Sequence, residues 1–356
     1  MKYKFILITG GAGFIGSNLA VSFKRKYPKI KILAIDNLKR RGSELNIARL
    51  KENGVSFLHA DIRNPEDLVF DCPSGLLVEC SAEPSVMAGV GDNPLYVVNT
   101  NLAGTVNCLE LARKRKLDVI FLSTSRVYPY GAINEIKTRE SALRFEWNFG
   151  QKVNGWSADG INECFSLSGA KTLYGATKLC SETLLEEYIQ NYGIKGVINR
   201  CGVVAGPWQF GKVDQGIFTF LMLAHFYKKQ IKYIGFGGKG KQVRDLLHVD
   251  DLFKLIDLEA VNMDKANGEV YNIGGGKNCN LSLVETVKLC NKITGYKLDI
   301  KSDPNTRPGD IKIYISDNKK AGRDLNWKPE ESPEKILEDI FAWIKDNDSL
   351  VRGSLL

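Results

Sequence analysis

Tyr174 and Lys178 stand four apart in Tyr174-Gly175-Ala176-Thr177-Lys178, a spacing that puts both on one face of a helix. A lysine ammonium beside a phenol favours the phenolate, and a phenolate can take a proton from an alcohol. Thr124, just past the apolar run Val119-Ile120-Phe121-Leu122, offers a hydroxyl that can approach the same oxygen. Together they make a proton-transfer site. Alone, a Tyr-x-x-x-Lys pair is weak evidence. Its weight comes from following a unit that can hold a hydride acceptor, one strand after Thr124.

Such a unit opens the chain. Phe5-Ile6-Leu7-Ile8 is long enough for one buried strand, and Gly10-Gly11-Ala12-Gly13-Phe14-Ile15-Gly16 follows at once. Ser17-Asn18-Leu19-Ala20 then reads as helix, and a second apolar run, Ile30 to Ile35, ends in Asp36. Strand, glycine turn, helix, strand and terminal carboxylate form a dinucleotide-binding βαβ unit. Gly10 permits the tight turn, Gly13 lets backbone approach a pyrophosphate, and Gly16 lets the helix pack closely. Unpaired N–H groups of the first helical turn face the phosphates. Asp36 suits a ribose diol and repels a 2′-phosphate, which favours NAD over NADP; Arg40 and Arg41, close behind, pull the other way. The spacing is Gly-x-x-Gly-x-x-Gly rather than the commoner Gly-x-Gly-x-x-Gly.

Apolar strands alternate with helical segments as far as about residue 201, which predicts an α/β fold: a Rossmann-type, doubly wound parallel sheet with a smaller C-terminal α/β substrate-binding domain. The expected division is 1–200 for NAD, with an insert at 129–170, and 201–356 mainly for substrate, some segments returning to the first domain. Open sheets bind ligands at their carboxyl edge, so polar groups at strand ends become candidates. Asp61, past the strand ending at His59, could hold an adenine amino group. Cys80-Ser81-Ala82 would let the chain pass close to a cofactor. The 129–170 segment reads as a long ordered loop with a short hairpin or helix. Arg307-Pro308-Gly309-Asp310 falls in what reads as a small lid, and Glu334 to Lys345 reads as a last surface helix capped by Ser332.

Length and composition set limits. A chain of 356 residues can bury a full core. Its formal charge of +8 is scattered, without a basic block, and this favours a small anionic ligand over nucleic acid. No run of 18 apolar residues predicts a membrane span. Eight cysteines without a close pair and three histidines suggest no metal site, and most of the cysteines read as buried thiols of a reducing, cytoplasmic compartment.

These motifs as a set resemble the extended short-chain dehydrogenase/reductase family, the nucleotide-sugar epimerases and dehydratases. The residues that carry the resemblance are the 10–16 glycine turn, Asp61-Ile62-Arg63, Asn101-Leu102-Ala103-Gly104-Thr105, Tyr174 to Lys178, Arg200 and Arg307 to Asp310. It spans essentially the whole chain. The resemblance implies that NAD is held by Gly10, Gly13, Phe14, Ile15, Gly16, Asp36 and Asn37. It extends those contacts to Asp61, Ile62, Ser81, Ala82, Asn101, Tyr174, Lys178 and Arg200. Tyr174 would be the base and acid, Lys178 its partner, and Thr124 the orienting hydroxyl.

Departures narrow the class. Dehydratases of the family carry two carboxylates after the threonine, where this chain has Ser125 and Arg126. Neither can protonate a departing hydroxyl or abstract a C5 proton at neutral pH. Glu79 and Glu83 replace the usual His and Gln, and the sequence offers no reason for either. Within the family, the 129–170 insert, the 206–216 stretch with Gln209, Phe210, Asp214 and Gln215, and the 240–248 stretch resemble epimerases of a CDP-linked sugar at C2. The reaction implied interconverts CDP-paratose and CDP-tyvelose; action at C4 of a UDP- or GDP-sugar is the alternative. Ser125, Arg126, Gln209, Phe210, Gln215, Arg244, Arg307 and Asp310 are the expected substrate contacts. Arg244 and Arg307 suit a diphosphate, with Asp310 orienting Arg307. Trp208 could frame base or sugar or pack as core, and His248 reads as structural. The resemblance also implies a homodimer or homotetramer paired through helices near 101–116 and 174–192.

Overall fold

The computed structural model describes residues 1–91, 93–211 and 215–355; Asp214 of the 206–216 stretch lies outside them. The apolar runs become seven parallel strands: β1 (Phe5–Thr9), β2 (Lys31–Asp36), β3 (Ser56–His59), β4 (Gly75–Glu79), β5 (Leu117–Thr124), β6 (Gly196–Cys201) and β7 (Val270–Ile273). They lie in the order β3-β2-β1-β4-β5-β6-β7. β1 and β4 are buried along their whole length, as central strands covered on both faces must be. The chain winds outward from β1 to β3, then restarts at β4 on the other side. This reversal opens a crevice past the ends of β1 and β4, the place where an open α/β sheet binds its ligand.

One face is covered by α1 (Phe14–Lys26) and a later helix, Val249–Val261; Leu19 and Phe23 meet Leu252 and Ile256 there over Ile6 and Ile8. The other face is covered by α2 (Gly104–Arg115) and α3 (Leu173–Tyr192), where Leu109 and Leu185 pack on Leu7, Leu77 and Val119. α3 starts at Thr172, whose hydroxyl accepts from Gly175 N, and stops at Gly193 in the left-handed region.

The smaller part has its own core. Phe218, Met222, Cys290, Ile336, Ile340 and Trp343 come together from three helices, Ile217–Phe226, Leu283–Thr294 and Pro333–Asp346. Ser332 caps the last of these by accepting from Lys335 N. The expected surface helix forms, with residues 336, 337, 340, 343 and 344 as its one buried stripe, but it is not the last: a further helix, Asp348–Leu355, follows. The 129–170 segment holds a short helix (Tyr130–Glu135) and two small hairpins, and it buries Ile133, Phe145, Trp147 and Ile161 against Ile311, Ile313 and Tyr314. Among the described residues, no helix is long and apolar enough to cross a membrane.

Candidate active site

A cavity of about 730 Å³ opens at the reversal point of the sheet. Its cofactor-side wall is the glycine turn. Gly10 has φ +60°, and a Cβ there would lie 2.9 Å from the Cys80 carbonyl. A Cβ on Gly16 would lie 2.3 Å from Gly10 O, so any larger residue would push α1 off the turn. Gly13 is the N-cap of α1, with no side chain capping it and no acidic residue in the first turn. The positive end of a 13-residue helix is thus left for an outside anion, and Gly13, Phe14 and Ile15 line the cavity beside it. Asp36 ends β2 and also lines the cavity with Asn37. Its carboxylate accepts from Leu38 N at 2.8 Å and Ala12 N at 3.2 Å. Burial pushes its pKa up and these N–H groups pull it back. A turn that only glycine fits, an uncapped helix end and a strand-end carboxylate suit a dinucleotide.

Opposite lies the Thr124, Tyr174 and Lys178 group that the sequence marks for proton transfer. Gly175 is needed because a Cβ there would meet Arg126 O at 2.0 Å. Its absence lets the start of α3 press on the 124–126 turn, and Thr124 and Tyr174 line the cavity together. Removal from water raises the Tyr174 pKa; the Lys178 ammonium, the Thr124 hydroxyl and Arg126 pull it down, leaving it above its ordinary value. Lys178 is 2% exposed, with Nζ 4.4 Å from the Phe121 ring centre and 3.5 Å from Glu79 Oε2.

The far side of the cavity is cationic. Arg126 donates to Gly309 O at 3.0 Å and ties the 307–310 loop across the Thr124 turn. Arg244 is buried, donating to Asp310 Oδ1 at 2.7 Å and Val243 O at 2.8 Å. Burial pulls its guanidinium pKa down to about 10, against the pull of Asp310. The expected pairing of Asp310 with Arg307 is therefore corrected: the carboxylate meets Arg244, while Arg307 lines the cavity.

The structure brings Ser81, Ala82, Ile62, Ser125, Gln209, Phe210 and Gln215 to the same cavity. Gln209 spends its amide on Val204 O and the Thr219 hydroxyl, and Phe210 packs edge-on against Trp343. Three expected cofactor contacts do not line it. Arg200 turns into the core, where it donates to Glu182 at 2.7 Å and the Tyr128 hydroxyl at 3.1 Å. Asp61 is taken by Arg63 and Asn37, and Arg63 holds its pKa down to about 2. Asn101 grips the Glu83 backbone from both ends of its amide. Trp208 packs against the Arg49 guanidinium and the Trp343 ring. His248 caps Val249–Val261, accepting from Asp250 N, and it too is absent from the cavity wall. Lys232 and Tyr233 also line the cavity, from the short strand Ile231–Ile234 that no motif marks, and Gln242 joins them from the 240–248 stretch.

Comparison with known proteins agrees with this geometry. Residues 6–274 match the model of the NAD dependent epimerase/dehydratase family, and the chain belongs to that family. Its class is thus that of the NAD-dependent nucleotide-sugar epimerases and dehydratases. Among its relatives, the CDP-paratose 2-epimerase of Salmonella typhi is 31% identical over 95% of this chain and 98% of that protein. The UDP-glucuronate 4-epimerase of Thermodesulfobacterium geofontis is 29% identical over 98% of each. The crystal structure of UDP-glucuronic acid 4-epimerase from Bacillus cereus, in complex with UDP-glucuronic acid and NAD, superposes with a TM-score of 0.78 at 27% identity, covering 96% of this chain and 99% of that one.

Proposed function

We propose that the enzyme inverts C2 of a CDP-linked sugar, interconverting CDP-paratose and CDP-tyvelose. The observation that carries the reaction type is the meeting of Thr124, Tyr174 and Lys178 with the glycine turn around one cavity. The Salmonella relative supports the choice of carbon and base. Ser125 and Arg126, standing where a dehydratase needs carboxylates, support epimerisation without loss of water.

A sugar C2–H has no neighbouring carbonyl to acidify it, so inversion requires oxidation and re-reduction. NAD held at the glycine turn would supply a reversible hydride acceptor for the C2 hydrogen. Tyr174 Oη removes the proton of the C2 hydroxyl and returns it at the end. Thr124 Oγ1 orients that oxygen, and Lys178 favours the phenolate. The sugar passes through a 2-keto form that must present its other face, so the protein grips the diphosphate and leaves the ring loose. Arg307 and Arg244 supply that grip. Asp36, Asn37 and the uncapped start of α1 hold the cofactor, which stays bound because each turnover regenerates it. Residues 1–200 carry the cofactor and 201–356 mainly the nucleotide sugar. The enzyme works in the cytoplasm, in keeping with eight unpaired cysteines, as a homodimer or homotetramer joined through α2 and α3.

The 29% identical UDP-glucuronate 4-epimerase favours a second reading, C4 inversion of a UDP- or GDP-sugar. Turnover of CDP-, UDP- and GDP-sugars, with product stereochemistry read by NMR, separates the two. The first reading expects a C2 epimer from a CDP-sugar alone; a C4 epimer from a UDP- or GDP-sugar would replace it.

A further inference from the structure

Glu79 stands at the centre of the crevice. It ends β4, and its partner in register is Thr9, the last residue of β1 before the glycine turn. Its side chain is 1% exposed and acts only as an acceptor. Oε1 takes bonds from the Thr9 hydroxyl at 3.3 Å and Ser81 N at 3.0 Å; Oε2 faces Lys178 Nζ at 3.5 Å. Burial pushes the Glu79 pKa up, and Lys178, Ser81 N and the Thr9 hydroxyl pull it back toward the ionised form, which accepts from all three. The groups packed around the pair are neutral or cationic. Cys80 beyond β4, Cys108 of α2 and Cys201 of β6 are thiols whose pKa burial pushes up, and Tyr174 and Arg126 lie on the cavity side.

A lysine so far from water keeps its charge only beside a counter-ion; otherwise burial favours the free amine. An uncharged amine could no longer favour the phenolate at Tyr174. We infer that Glu79 is a positioning residue for the reaction: it supplies the counter-charge that keeps Lys178 an ammonium ion, fixes that ammonium between β1, β4 and α3, and so sets the pH range over which Tyr174 can take a proton. A merely structural carboxylate would matter for folding and leave that range alone. The inference rests on Tyr174 being the proton-transfer group.

The test uses the full-length, NAD-loaded enzyme. Ultraviolet difference absorbance of tyrosinate is followed against pH, with the Tyr174→Phe signal subtracted, and the acid limb of kcat/KM reports the same group through turnover. In Glu79→Gln both midpoints should move up by about one pH unit, and kcat at neutral pH should fall about tenfold with KM little changed. Glu79→Asp keeps the charge and should bring the midpoints back. If Glu79→Gln does not fold, Glu79→His carries the same test at pH values where its ring is neutral. Midpoints that stay put or move down in the uncharged variant overturn the inference. Full turnover in Tyr174→Phe would instead remove the reading of Tyr174, so the two failures are distinguishable.

Discussion

Two buried ion pairs sit one turn apart on α3, and they do opposite work. Glu182 and Arg200 close on each other completely. Arg200 Nε meets both Glu182 oxygens at 3.0 and 3.2 Å, Nη2 meets one at 2.7 Å, and Nη1 reaches the Tyr128 hydroxyl. Ser123 donates its hydroxyl to Glu182 as well. One turn earlier, Lys178 touches Glu79 through a single contact of 3.5 Å and borders the cavity. An ammonium has three donors, so this pair keeps bonding capacity for a ligand while the other has spent it. Burial and charge are alike in both; unspent donors and access to the cavity set the Lys178 pair apart.

Substitutions can break or sharpen that contrast. The largest effect is expected at the Lys178 pair's neighbour. Tyr174→Phe should cut turnover on the order of 10²–10⁴-fold while thermal unfolding stays at the wild-type temperature, since only a hydroxyl is removed. At the closed pair the effect should move to stability. Arg200→Met strands Glu182 and should cost roughly 3–5 kcal/mol, measured by denaturant unfolding, with NAD affinity by calorimetry nearly unchanged. A large loss of NAD affinity in the folded variant would return Arg200 to the cofactor site.

A third buried carboxyl has no cation beside it among the described residues. Glu259 accepts from Asn199 Nδ2 at 2.9 Å, and burial pushes its pKa up to about 8. Its folded value lies above the roughly 4.3 of an exposed glutamate. It therefore contributes stability in full below that lower value, and the contribution is lost as pH rises through about 8. Stability of the wild type should fall relative to Glu259→Gln by on the order of 2–4 kcal/mol between pH 5 and 8, as read from urea midpoints at each pH. The smallest effect is at the start of α3: Thr172→Ala removes its cap and should cost about 1 kcal/mol in the same assay.

These pairs also mark where sequence reading stops. The glycine turn, the Tyr-x-x-x-Lys spacing and the strand-end rule are local signals, and the turn, the helix and the strand ends formed as expected. Partnership is not local. Arg200, Asp61 and Asn101 each sit near the crevice, but their donors and acceptors are consumed by Glu182, Arg63 and Glu83. Nothing in the spacing of Asp310 reveals that Arg244, 66 positions away, takes the carboxylate from Arg307. Glu79 was visible only as a departure from a pattern; its register with Thr9 and its contact with Lys178 give it a place.

In the proposed function Tyr174 drives an oxidation and re-reduction at one sugar carbon, and the hydrogen stays inside the protein. Turnover of CDP-paratose deuterated at C2, in ordinary water, reads this out, with the product's C2 label followed by NMR. CDP-tyvelose should form with the label retained. Loss of the label to solvent during epimerisation would rule out internal hydride return.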